Sequence, residues 1–182
     1  MLARLRERLP ARGEVLGVFA AAAFVAYTWT LYISFWRLPS WFFFLSLGEI
    51  VALYAYAFVM NFAESLLLLS IALVPCLVLP QSWWRNSFVA RGVVLVVVVF
   101  ASAQMHLSKY PTLDLREGFV GSQFSWWLHT LWITAFLALL AGRIGWFKIG
   151  LEKFADQLSI FLYLYIPMTA IGLVVMIARN IG

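Results

Sequence analysis

Residues 88–107 read FVARGVVLVVVVFASAQMHL, and the solvent around that stretch decides the fold. The β-branched run VVLVVVV at 93–99 favours a strand in water. The stretch also has the length of a helix that crosses the hydrocarbon core of a bilayer, about 20 residues, and Arg91 near its start is its one Lys or Arg. In lipid an isolated strand leaves its backbone N–H and C=O groups unsatisfied, whereas a helix bonds them within the segment. The rest of the chain identifies the solvent. Of 182 residues, 64% are hydrophobic and 12% charged, where soluble domains carry about 45–50% and about 25%. Mean hydropathy is +0.93. The solvent is lipid and the stretch is read as a helix. The same composition argues against a disordered chain, a disulfide scaffold, a soluble enzyme and a nucleic-acid-binding domain.

Working outward, further apolar runs of spanning length lie at 15–36, 41–60, 62–79, 126–141 and 158–178. The expected fold is all-α: a polytopic transmembrane helical bundle of five or six spans, forming a single integral membrane domain. Arg37 and Pro39 are read as separating the first two runs, and Pro80 as closing the third. Asn61 with Glu64 three residues later has the form of a capping box that starts a fresh helix. Pro167 is expected to bend the last span. Trp36, Trp41, Trp83, Trp84, Trp126, Trp127 and Trp146 fall at expected span ends, as in the aromatic belt at headgroup depth.

Two segments read as surface helices. In 1–13, Leu2, Leu5 and Leu9 share one face and Arg4, Arg6, Arg8 and Arg12 cover much of the rest, which suits anionic lipid headgroups. The apolar run that follows is too long for a cleaved signal, and the bulky Tyr27, Trp29 and Tyr32 follow its small residues, so it is read as an uncleaved anchor. In 142–157, Phe147, Leu151 and Phe154, continued by Leu158, recur at helical spacing opposite Lys148, Glu152, Lys153 and Asp156. Residues 108–125 are read as an ordered loop outside the lipid.

Length and charge disagree on the number of crossings. At 1.5 Å per residue a single helix over 41–79 would be about 58 Å long, roughly twice the core, which argues for a hairpin there and six spans. With six spans, one side holds Arg4, Arg6, Arg8, Arg12, Lys109, Arg116 and Arg179 and the other Arg37, Arg85, Arg91, Arg143, Lys148 and Lys153. That split is nearly even and orients nothing. With five spans, Arg85, Arg91, Arg143, Lys148 and Lys153 join the four N-terminal arginines, leaving Arg37, Lys109, Arg116 and Arg179 opposite. That bias points to a cytoplasmic N-terminus. Length is given the greater weight, so six spans is the expectation and five the alternative. Either way the chain belongs in a plasma or inner membrane.

Charged residues within spans ask for a reason. Glu49, beside Gly48, is read as lying about eight residues into the second span, as a proton or cation site or a contact for a partner subunit. Glu64 is read as a cap. Gln104, His106, His129, Trp126 and Trp127 form a candidate interfacial ligand site, since both histidines should lie at similar depth near one membrane face. Two such histidines could hold one b-type haem, or a quinone headgroup could sit there. Lys109, Asp114, Arg116 and Glu117 offer a docking surface in the loop. Cys76 lies in an apolar run (LVPCLVL) and is read as an inert small hydrophobe. No metal-ligand spacing, nucleophile elbow, phosphate-binding loop or dinucleotide turn is present. Three functions follow: a non-catalytic subunit or scaffold of a larger membrane complex, favoured; a small transporter or channel using Glu49; and a membrane enzyme or redox subunit handling a lipid-soluble substrate near His106 and His129.

Overall fold

The computed structural model describes residues 9–109 and 117–181, with the side chains of all but 81, 82 and 117–120. Helices α1 (Arg12–Phe44) and α2 (Leu47–Val78) form an antiparallel pair. The short α3 (Gln81–Trp84) and a 3₁₀ turn (Arg85–Ser87) lead into α4 (Phe88–Ser108). Then come α5 (Glu117–Arg143), α6 (Gly145–Leu158), a second 3₁₀ turn (Ser159–Phe161) and α7 (Leu162–Ile181). No strand occurs among the described residues. Five helical segments are long and apolar enough to cross a membrane: Arg12–Phe44, Leu47–Val78, Arg85–Ser108, Gly121–Arg143 and Gly145–Ile181. The chain is a membrane-embedded helical protein.

Helix α1 is the centre. Ala20, Ala21, Ala22 and Ala23 are all buried. Four consecutive residues turn through most of a helix circumference, so this helix has neighbours on nearly every side. Alanines there let the neighbouring backbones come close. Val18 meets Gly92 of α4, and Gly17 meets Ala155 of α6. The outward surface is apolar instead: Phe43, Leu67, Trp132, Phe136, Tyr163 and Val174 are all exposed, as lipid contact requires.

The expected break at 61 is absent, because α2 runs unbroken through Asn61 and Glu64. Asn61 is 4% exposed, and its Oδ1 accepts a 2.9 Å hydrogen bond from the Thr30 hydroxyl. It is a mid-helix contact to α1 rather than a cap. The true cap stands fifteen residues earlier. Ser46 Oγ accepts from Glu49 N at 3.4 Å, and Glu49 Oε2 accepts from Ser46 N and Ser46 Oγ at 2.8 Å each. The length objection to one helix is weaker than it looks. At 1.5 Å per residue α2 is about 48 Å long, little more than the roughly 40–45 Å of core plus headgroup layers, and tilt absorbs the rest. Replacing Ser46 with alanine is expected to cost about 1 kcal/mol, the usual worth of an N-cap. Unfolding free energies measured in bicelles would show it, with Glu49→Gln retaining most of the cap.

Other boundaries also move. Helix α1 continues through Arg37 and Pro39 to Phe44, which lipid-embedded helices tolerate better than soluble ones. Residues 117–125 of the expected loop are helical, as the first turns of α5. Of the expected surface helix 1–13, residues 1–8 lie outside the described residues, Leu9–Ala11 is not helical, and Arg12 already opens α1. Helix α6 stands where an amphipathic helix was expected, but Phe154 faces outward. Ala155 takes its place on the inner face with Phe147, Leu151 and Leu158, which closes the approach to Gly17.

Candidate functional site

Two seams of polar side chains cross the bundle. In the first, Tyr27, Thr30 and Ser34 share one face of α1 at helical spacing. Tyr27 is fully buried. Its ring stacks on Phe58 of α2 and Tyr165 of α7, with centroids 5.8 and 4.4 Å away. Its hydroxyl donates to the Phe58 carbonyl at 3.0 Å and also bonds the Thr169 hydroxyl of α7. Thr30 meets Asn61, and Ser34 accepts from the Tyr54 hydroxyl at 3.0 Å. These bonds tie three helices together, while Asn61 Nδ2 stays buried without a hydrogen-bond partner among the described residues. Sequence reading missed this seam; hydroxyls at 27, 30 and 34 were its only signal, and their partners lie 20 to 142 residues away.

The second seam joins α4 and α5. Trp126 donates its indole N–H to Ser102 Oγ at 2.8 Å, and Ser102 and Thr130 share a hydroxyl contact. His106, 3% exposed, packs its ring on Trp126 with centroids 4.9 Å apart. Lys109 also lies over that indole, its Nζ 4.4 Å from the ring centroid.

The candidate ligand set is thus divided. His106 and Trp126 come together. Gln104 instead lines a groove of about 460 Å³ between α4 and α1, with Phe24, Trp29 and Tyr32. His129 is exposed, and its Nδ1 lies 2.6 Å from its own helix's Ser125 carbonyl. Trp127 is exposed and donates to Gln123 at 2.9 Å. One histidine therefore turns inward and the other outward, and a haem held by both rings would need them to face one space. Among the described residues no three His, Cys, Asp or Glu side chains gather as metal ligands do. Of the docking set, Lys109 is exposed at the end of α4; Asp114 and Arg116 lie outside the described residues, and Glu117 opens α5.

The two glutamates exchange the places expected of them. Glu49 sits in the first turn of α2, exposed and engaged in the Ser46 cap. Glu64 is the mid-helix acid. Its depth follows from register: Asn61 is level with Thr30 of α1, and Val18 of α1 is level with Gly92 of α4. Glu64 therefore stands opposite the middle of α4, the helix whose length matches a bilayer core. It faces outward, on a continuous exposed strip with Met60, Ala63, Leu67, Ser70 and Ile71. No side chain among the described residues hydrogen-bonds or ion-pairs with it. The sequence signal for this was available: S-x-x-E at 46–49 is as good a capping box as N-x-x-E at 61–64. No protein-family model, curated protein or solved structure matches this chain.

Proposed function

We propose that the chain is a non-catalytic subunit of a larger membrane assembly, seated against another polypeptide through the outer strip of α2 around Glu64. The observation that carries this reading is an ionisable side chain at mid-bundle height that faces away from its own protein. Acidic residues within membrane spans are rare, and they almost always face the bundle interior or a water-filled cavity, where they pair with other groups. Glu64 has a largely apolar strip around it and no partner among the described residues. A helix of a second polypeptide bearing a cation or a hydrogen-bond donor would satisfy it, and Ala63 and Ser70 leave room for that helix to approach closely.

The threading that fits this bundle is five crossings. The start of α1, the α3 turn and α6 share one end, since Gly17 lies near both Val89 and Ala155 and Lys148 donates to the Asn86 carbonyl at 3.0 Å. That end carries Arg12, Arg85, Arg91, Arg143, Lys148 and Lys153, and the opposite end Arg37, Lys109 and Arg179. By the positive-inside rule the first end is cytoplasmic, in a plasma or inner membrane. A transport role through Glu49 is less favoured, because that carboxylate is spent on a helix cap at the bundle's end.

Purification from native membranes in a mild detergent tests the reading. The wild-type chain is expected to co-purify with an integral membrane partner. Glu64→Leu should lose most of that partner while eluting as a folded species, and Glu64→Gln, which keeps a hydrogen-bonding group, should retain part of it. A chain that elutes alone, with no partner in either form, would remove the proposal.

A further inference from the structure

Arg91 is a buried cation for which the described residues supply no counter-charge. It stands in the first turn of α4 and is 9% exposed. Its Nε is buried with no hydrogen-bond partner, and so is the indole Nε1 of Trp84, itself 9% exposed. The guanidinium carbon lies 5.9 Å from the Trp84 ring centroid. On the other side the group rests on Gly142 of α5, where an added Cβ would come within 2.5 Å of Arg91 Cζ. None of the described acidic side chains forms an ion pair with it. An arginine does not shed its proton, and a charge buried unpaired is costly. An anion from outside the chain would relieve that cost.

The surroundings say what kind of anion. Arg91 and Trp84 line a groove of about 390 Å³ whose remaining walls include Leu79, Leu95, Leu131 and Leu139. Its volume lies within the roughly 300–1,000 Å³ range of small-molecule sites, which pair apolar walls with a few convergent polar groups. The groove runs between α2 and α5 across α4, and opens beside the outward-facing Trp83 and Leu131. Arg143 follows Gly142, the residue on which the Arg91 side chain rests. A soluble anion would meet only the cationic end of such a groove. An amphiphile would fill all of it.

We propose that this groove is a binding site for one anionic phospholipid, with its phosphate on the Arg91 guanidinium and the Trp84 indole N–H and an acyl chain along the leucine wall. The site is independent of the Glu64 strip, which lies at mid-height rather than at this end.

The test uses the full chain, delipidated in mild detergent, and reads lipid retention by native mass spectrometry and thermal midpoint. The probes are phosphatidylglycerol, phosphatidylcholine and inorganic phosphate. Phosphatidylglycerol is expected to stay bound and raise the midpoint, with phosphatidylcholine and inorganic phosphate doing neither. Arg91→Met should weaken phosphatidylglycerol binding by about ten-fold or more, the worth of one charge-assisted hydrogen bond. It should still fold, because an apolar replacement of a buried charge is often neutral or stabilising. Ala135→Trp, which fills the groove from an outward-facing position and leaves the charge in place, should weaken binding comparably. Arg179→Gln at the opposite end should leave it unchanged. The proposal is overturned if Arg91→Met and Ala135→Trp bind phosphatidylglycerol as the wild type does, if the two lipids bind alike, or if inorganic phosphate alone reproduces the shift.

Discussion

Tyr27→Ala is expected to destabilise the bundle by about 3 kcal/mol or more, measured as unfolding free energy in bicelles. The estimate differs from that for a soluble core, because a tyrosine released from this bundle enters lipid rather than water. The transfer contribution that dominates large-to-small substitutions in water is then mostly absent, and the packing loss remains, at about 24 cal/mol per Å³ of cavity. Tyr27 is fully buried and stacked on Phe58 and Tyr165, so its removal leaves a cavity where α1, α2 and α7 meet. The two hydroxyl bonds add to this, each averaging about 0.6 kcal/mol in membrane proteins. Tyr27→Phe should therefore cost only about 1 kcal/mol. A large loss on Tyr27→Phe would mean that the polar seam, rather than ring packing, holds α1, α2 and α7 together.

Gly172→Leu is expected to have an effect of similar size by the opposite route. A Cβ at Gly172 would come within 2.8 Å of the Ala55 carbonyl oxygen and 3.3 Å of Ala55 Cα. These are backbone atoms of α2, and no rotamer change can clear them. Helix α7 must move outward. Its buried residues are few, Leu162, Tyr165 and Gly172, so little else resists the displacement. Overpacking costs about 1–3 kcal/mol and occasionally more, and here it also strains the Tyr27–Thr169 contact and the 3.3 Å bond from Tyr56 to Asn180. Hydrogen exchange should show α7 opening first, with the α1–α2 and α4–α5 pairs still protected. Uniform loss of protection would mean that α7 is not the separable element.

Much of this architecture could be read from the chain. The lipid solvent followed from composition, and the runs at 15–36, 88–107 and 126–141 fall inside observed helices. The stretch at 142–157 corresponds to α6, with its ends shifted by a few residues. What could not be read was tertiary. Two capping boxes looked equivalent on paper, and only the Thr30 hydroxyl, 31 residues from Asn61, shows which of them is interior. That one reversal moved Glu64 from a helix end to mid-height, and it also removed the hairpin on which six spans depended. The charge distribution pointed to an odd number of crossings, and five helical segments are long and apolar enough to cross a membrane. Arg91 illustrates a second limit. Its position in the sequence shows a cation near a span end, but not that Gly142 of a distant helix opens a place for it. His106 and His129 illustrate a third. Matched depth is legible from span boundaries, but the side of the helix each ring faces depends on where α4 and α5 touch.

A photo-reactive amino acid placed at position 60, and in parallel at 67 and at the lipid-facing position 163, would report what covers the outer strip of α2 in intact native membranes while leaving Glu64 in place. Positions 60 and 67 are expected to cross-link to the same second integral membrane polypeptide, with 163 giving lipid adducts. Lipid adducts alone at 60 and 67 would contradict a protein partner at Glu64.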